Sequence, residues 1–332
     1  MQKSDKVLRV LAIPYSALAS VIFGMMIVSF PIGAYLVFNS DIGKDITFEY
    51  PLQSLDIFLG GIGVKLPIQF ELGDGFVILW CAYLILFAIC LCGPKRNFMR
   101  ALTVLVTEGW QAIKNNALLG MITWFSILIV FSVAIDTIQQ SVGITTKSPD
   151  FQNDLVKFFE VTASPLREEV GFRMLLIGLP LYAMFSHRAS FRHFFSSLWH
   201  PSANLDITNY KKAIALVVAV GIFFGVAHII SGTPWSAGKF AQASVAGIII
   251  GWVYVRYGLA PAILIHWGTN YFTFSYIVLL SSLNQTSIEK ETTSPLLNNL
   301  EFLLLAAGLI AMVAVVLNYA KSKKEPTALA QA

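Results

Sequence analysis

The sequence predicts an all-α, polytopic membrane helix bundle with about eight transmembrane helices. Of the 332 residues, 56% are hydrophobic and only 13% are charged, a composition typical of membrane proteins and not of soluble domains. The apolar residues are also gathered into runs of about 20, the length that a helix needs to cross roughly 30 Å of hydrocarbon. Both observations favour one integrated membrane bundle.

Eight runs meet this criterion. In chain order they are 10–38, 76–92, 117–138, 155–185, 213–230, 240–257, 259–283 and 300–319. The first is overlong, and Pro14 and Pro31 are expected to bend it. The fourth is expected to break near Pro165, because Ser164-Pro165 is typical of a cap followed by the first turn of a new helix.

Basic residues accumulate in alternate loops, which sets the orientation. The loop between the fourth and fifth runs, for example, carries Arg188, Arg192, Lys211 and Lys212. The positive-inside rule then places both termini in the cytoplasm and loop 39–75 outside. Alternating polar and apolar residues at 46–50 and 64–72 favour a small hairpin or an interfacial cap in this loop. The net charge of +4 is explained by these loops, so no nucleic-acid partner is expected.

The chain divides by these features into three parts of one membrane domain. Residues 1–150 hold the first transmembrane helices and the extracytoplasmic loop 39–75, residues 151–283 the polar motifs, and residues 284–332 the last transmembrane helix and a cytoplasmic tail. Small residues at four-residue spacing, Gly221 and Gly225 in one run and Ala243, Gly247 and Gly251 in the next, predict close helix packing inside the bundle.

Charged residues in the fourth run are the first candidates for chemistry. Ionised groups in hydrocarbon are costly, so they must be paired or lie in a wet cavity. Residues four apart share a helix face, so Glu169 is expected to pair with Arg173, while Glu168 points elsewhere and can serve a cavity as a base or a ligand. A purely structural clamp between helices is the alternative.

Two later runs each carry a polar pair at the same spacing. Phe224 and His228 are four apart, as are His266 and Asn270. His228 and His266 are the only two of the five histidines that lie inside predicted spans. A lone intramembrane histidine usually forms a hydrogen bond between helices. Two of them, together with an unpaired glutamate and an asparagine, indicate a functional site. Straight helices would nevertheless place the two imidazoles at different depths.

The motifs Glu-Glu-x-x-x-Arg at 168–173, Phe-x-x-x-His at 224–228 and His-x-x-x-Asn at 266–270 together resemble those of the CPBP intramembrane proteases. This family contains the type II CAAX prenyl endopeptidases and bacterial relatives linked to bacteriocin processing or self-immunity. The resemblance covers residues 164–270, about a third of the chain, and marks 151–283 as a CPBP-like catalytic core.

The resemblance implies the role of each motif residue. Glu168, helped by His228, would activate a water to attack a peptide carbonyl, and His266 and Asn270 would hydrogen-bond the oxyanion. The supporting residues would be Glu169, Arg173 and Phe224. The implied activity is that of a membrane-embedded peptidase in a prokaryotic cell membrane. Its substrate would be a membrane-anchored protein or peptide, with either a prenylated CAAX-type or another lipid-anchored C-terminus.

No cofactor is required by this reading, and zinc is the alternative. The same family is also described as metalloproteases, and Glu168, His228 and His266 would supply three ligands to zinc with water in the fourth place. The base would then be Glu169, which the spacing pairs with Arg173, so the metal-free mechanism is favoured.

Two further functions remain open from the sequence. One is a noncatalytic membrane binding or immunity protein of the same fold, which would use the cavity to hold a peptide. The other is a proton-coupled transporter with Glu168 and the histidines as a relay, although the sequence shows no repeat of the kind that many transporters have.

Overall fold

The structure is a computed structural model that describes residues 3–59, 62–93, 96–110, 113, 116–149, 151, 153–230 and 235–324. The first half contains helices α1 Lys3–Asn39, α2 Leu72–Cys92, α3 Phe98–Glu108, α4 Ala117–Ser141 and α5 Asp154–Glu169. A π-helix, π1 Val170–Gly178, continues directly from α5 and is followed by α6 Leu179–Phe185, α7 Phe191–Trp199 and α8 Pro201–Asn204.

The second half begins with α9 Tyr210–Ile230, α10 Lys239–Tyr257 and α11 Leu259–Trp267. A second π-helix, π2 Gly268–Phe272, joins α11 to α12 Thr273–Asn284 and is followed by α13 Ile288–Glu291 and α14 Pro295–Lys324. Buried apolar side chains from α1, α2, α4, α5 and α9 to α14 form one continuous core. Residues 325–332 of the predicted tail lie outside the described residues.

The all-α polytopic bundle is confirmed. Within the described residues, six helical segments are long and apolar enough to cross a bilayer, namely α1, α2, α4, α9, the continuous segment Leu259–Asn284 and α14. The other two predicted spans, 155–185 and 240–257, are also helical but more polar. The first is divided among α5, π1 and α6 and carries several charges, and the second includes Gln242 and Arg256. The chain is a multi-pass integral membrane protein.

The predicted helix break at Pro165 is wrong. Helix α5 runs through Pro165 to Glu169, and its N-cap is Asn153, whose side chain accepts a hydrogen bond from the Val156 N–H over 3.0 Å. The regular helix changes one residue after Glu169 instead, where π1 begins. Proline is accommodated because its missing N–H and ring affect only the preceding turn, and α1 likewise continues through Pro14 and Pro31.

Loop 39–75 folds into two small antiparallel pairs. Strand β1 Pro51–Leu52 pairs with β4 Phe70–Glu71, and β2 Leu55–Leu59 pairs with β3 Ile62–Leu66. The sequence thus predicted the hairpin within this loop, although residues 46–50 precede the strands. The location of the loop outside the cell remains a prediction, as does the three-part division of the chain.

Small residues let α9 and α10 pack backbone to backbone. A Cβ atom added to Gly221 would lie 2.6 Å from the Ile248 nitrogen, and one added to Gly247 would lie 2.9 Å from the Gly221 Cα. A Cβ on Gly251 would lie 3.1 Å from the side chain of Val217, also on α9. The small-residue ridges therefore face each other inside the bundle.

Replacing Gly221 with alanine is expected to destabilise the protein, because overpacking a tight contact costs about 1–3 kcal/mol. The matched control is Gly24→Ala in α1, where a new Cβ meets nothing within 4 Å. That change should be neutral or stabilising by roughly 0.5–1 kcal/mol, since alanine is the better helix former. Thermal unfolding of both variants in detergent measures the difference, and equal midpoints would contradict the close packing of α9 and α10.

Candidate active site

Five helical elements bring the predicted polar residues together. The end of α5 and the start of π1 carry the first motif, the last turns of α9 carry the second, and the α11–π2 junction carries the third. The residues placed there are Glu168, Glu169, Arg173, Phe224, His228, His266 and Asn270.

Glu169 and Arg173 form a buried ion pair at the base of this site. Both side chains are fully buried, with Arg173 Nε 2.8 Å from Glu169 Oε2, and Arg173 Nη2 donates a hydrogen bond to Oε1 over 3.3 Å. The guanidinium also lies over the ring of Phe224, 4.9 Å from its centroid. This is the pair that the four-residue spacing predicts, and it balances the two buried charges.

Glu169 makes a second contact that the sequence did not predict. Its Oε1 lies 2.8 Å from His266 Nδ1. An ionised carboxylate has no proton to give, so His266 Nδ1 is the donor. The remaining ring nitrogen, Nε2, is then an acceptor in neutral His266 and carries a proton only in the imidazolium form. Glu169 therefore fixes both the orientation of the His266 ring and which of its two nitrogens is protonated in the neutral form.

Glu168 lies on the other side of the same imidazole. Its side chain is 18% exposed, and its Oε2 is 3.9 Å from His266 Nε2. This buried oxygen has no hydrogen-bond partner among the described residues. A carboxylate oxygen with unused acceptor capacity beside an imidazole is suited to accept a proton from a small polar molecule.

His228 is oriented by its own helix. Its Nδ1 donates to the carbonyl oxygen of Phe224 over 2.8 Å, so in the neutral ring Nε2 is unprotonated and available. The Phe224 ring centroid lies 4.5 Å from that of His228 and 5.8 Å from that of His266. Phe224 therefore contacts both imidazoles and brings the second and third motifs to one place.

Asn270 completes the arrangement from π2. Its Nδ2 donates to Ser164 Oγ over 3.0 Å and lies 3.3 Å from His266 Nε2. Thr269 Oγ1 donates to the His266 carbonyl over 2.8 Å and to Asn270 Oδ1 over 3.3 Å. The pattern Ser164-Pro165 predicts only a helix cap, whereas the structure places the Ser164 hydroxyl against Asn270 of the third motif.

Both π-helices adjoin these residues. Such segments change the angular offset between successive side chains and are frequent at functional sites. Here π1 follows Glu169 directly and contains Arg173, and π2 contains Asn270. The apolar period of the sequence carries no signal for them.

A metal site is not assembled from these side chains. Across the part of the chain that the structure describes, no group of three or more His, Cys, Asp and Glu residues is placed so as to hold a metal ion. The proposed zinc ligands Glu168, His228 and His266 therefore do not fit zinc as they are placed here.

Comparison with known proteins gives one family. Residues 155–272 match the model of the Rce1-like family, described as type II CAAX prenyl endopeptidase Rce1-like. No curated protein and no solved structure matches the chain significantly. The matched segment contains all three motifs and both π-helices, and it supports a membrane protease of the CAAX type with a peptide substrate. Over residues 155–272, about a third of its length, the chain is therefore similar to the CPBP intramembrane proteases that its three motifs resemble.

Proposed function

We propose that this protein is an intramembrane endopeptidase in which Glu168, helped by His228, activates a water to cleave a peptide bond of a membrane-associated substrate of the prenylated CAAX type. The observation that supports this most is the placement of the Glu168 carboxylate beside His266 Nε2, with one buried oxygen free of other hydrogen bonds. The similarity of residues 155–272 to type II CAAX prenyl endopeptidases supports the proposed substrate class.

Water attack needs a base. Glu168 takes one proton from the water while the water oxygen bonds to the peptide carbonyl carbon. His228 Nε2 accepts a hydrogen bond from the other O–H of the same water. The protonated Glu168 then gives its proton to the leaving amine as the C–N bond breaks. The products are a new carboxyl terminus and a new amino terminus, and Glu168 is again ionised.

Charge that develops on the carbonyl oxygen needs donors. Asn270 has amide N–H groups at the site, and His266 donates from Nε2 only as an imidazolium, because its Nδ1 proton is held by Glu169. The buried Arg173 pairs with Glu169 and so helps to hold its carboxylate against His266. Removing one such donor typically lowers kcat by about 10²–10³-fold.

The reaction written this way uses no metal, which gives a direct prediction. Protein purified without added metal and treated with a chelator should cleave as fast as untreated protein, while its zinc content is measured by mass spectrometry. The probe is a dansylated S-farnesylcysteinyl peptide that ends in three apolar residues. Loss of cleavage on chelation, restored by zinc, would contradict the metal-free mechanism.

The same assay tests the proposed function against its noncatalytic alternative. Wild-type protein in detergent should both bind the farnesylated peptide and convert it to two fragments. Binding without cleavage would contradict the hydrolytic proposal and favour a binding or immunity protein of the same fold.

The orientation is part of the proposal. Basic residues in alternate loops support cytoplasmic termini and an extracytoplasmic loop 39–75 in a prokaryotic cell membrane. The family match lies entirely within residues 151–283, which supports that segment as the catalytic core.

A further inference from the structure

Lys239, at the start of α10, is a charged residue beside the site that the proposed reaction does not use. Its side chain is partly buried, and its Nζ lies over the indole of Trp235, 4.3 Å from the ring centroid. The backbone N–H of Trp235 in turn donates to the backbone carbonyl oxygen of His228 over 2.9 Å. The lysine and its aromatic platform are therefore attached to the residue that would assist the base.

The charge of Lys239 acts on the same residues. Its ammonium lies within electrostatic range of Glu168 and of His228. Among the described residues, however, no ion pair within 4.0 Å involves Lys239, whereas Arg173 is directly paired with Glu169. A partly buried ammonium with an aromatic face and no direct carboxylate partner retains its capacity for a charge-assisted hydrogen bond.

We propose that Lys239 and Trp235 form a subsite that binds a carboxylate of the substrate on the C-terminal side of the peptide bond that is cleaved. This inference rests on the proposed function, because it deepens the specificity of the same site. A substrate carboxylate close to Glu168 would otherwise meet only repulsion from it, and the ammonium offsets that repulsion. Such a carboxylate comes either from the free C-terminus of the substrate or from an acidic side chain near it.

Three versions of the dansylated farnesylated peptide separate these sources. One ends in a free carboxylate, one ends in an amide, and one is an amide that carries an aspartate at its last position. Wild-type protein should bind and cleave the free acid more efficiently than the plain amide, with the difference mainly in KM. One charge-assisted hydrogen bond corresponds to a preference of about 10-fold or more. The aspartate peptide shows whether a side-chain carboxylate suffices.

Two substitutions test the residue itself. Lys239→Met keeps the length of the side chain without the charge and should reduce the preference for the acid to near one, with kcat on the amide retained. Lys239→Arg should keep most of the preference. The matched control is Lys212→Met, an exposed residue of α9, which should leave the preference unchanged.

The outcomes also separate this inference from the proposed function. Binding of the three peptides is measured in parallel on Glu168→Gln protein and on the double variant Glu168→Gln/Lys239→Met. A preference for carboxylate that requires Lys239 supports the subsite even if no variant cleaves, in which case only the proposed function fails. The subsite would be overturned if the preference for carboxylate survived Lys239→Met, or if wild-type protein bound acid and amide equally or not detectably. It would also be overturned if Lys239→Met lowered kcat equally on both peptides.

Discussion

Glu168→Gln protein is expected to lose hydrolysis, with kcat lowered by about 10²–10⁴-fold, the usual contribution of a positioned general base. Glutamine has nearly the shape of glutamate but cannot accept the proton of the attacking water. The side chain is partly exposed, and among the described residues its one ion-pair neighbour within 4.0 Å is His266, whose Nε2 lies 3.9 Å from Glu168 Oε2. Folding should therefore be little affected, and the loss should be in chemistry.

The assay follows cleavage of the farnesylated peptide by purified protein, with thermal unfolding measured on the same sample. The control is Glu301→Gln, the same substitution at an exposed position of α14. That variant should cleave as fast as wild type. Full activity in Glu168→Gln would show that another group is the base.

Arg173→Met should have the largest effect on stability. It leaves the carboxylate of Glu169 fully buried with only His266 beside it, and breaking a buried pair from one side typically costs about 3–5 kcal/mol. The double variant Glu169→Gln/Arg173→Met removes the uncompensated charge as well and should recover part of the loss. Chemical unfolding in detergent measures the free energy of unfolding of wild type, Arg173→Met and the double variant.

A surface ion pair provides the control for this prediction. Arg96 Nη1 lies 3.8 Å from Glu108 Oε2, with the side chains 32% and 65% exposed. Such pairs contribute only about 0–1 kcal/mol, so Arg96→Met should be nearly neutral. If Arg173→Met lowered stability no more than Arg96→Met, the buried pair would not support the site as described.

The fold class and the motif pairs were predictable from sequence because each depends on local pattern. Apolar runs report the length of a membrane span, and four-residue spacing reports a shared helix face, as with Glu169 and Arg173. The span count was less predictable. Segment 155–185 is interrupted by polar residues and is not among the six apolar spans. Whether a membrane helix can contain such residues depends on partners from other helices, which a local stretch of sequence does not show.

The remaining features of the site depend on contacts between distant segments. The hydrogen bond between Glu169 and His266 joins residues 97 positions apart, and that between Asn270 and Ser164 joins residues 106 apart. Neither leaves a periodic signal. Pro165 illustrates the opposite error, because a strong local signal for a helix start was overridden by the continuous packing of α5.

The most direct test of the central claim compares the termini of membrane proteins by mass spectrometry. Host cells that lack this gene are complemented with wild type, Glu168→Gln or Glu301→Gln at equal expression. New protein termini should appear with wild type and with Glu301→Gln but not with Glu168→Gln, and they would name the natural substrate. Identical termini in all three strains, with Glu168→Gln still restoring whatever the deletion impairs, would contradict hydrolysis by this site.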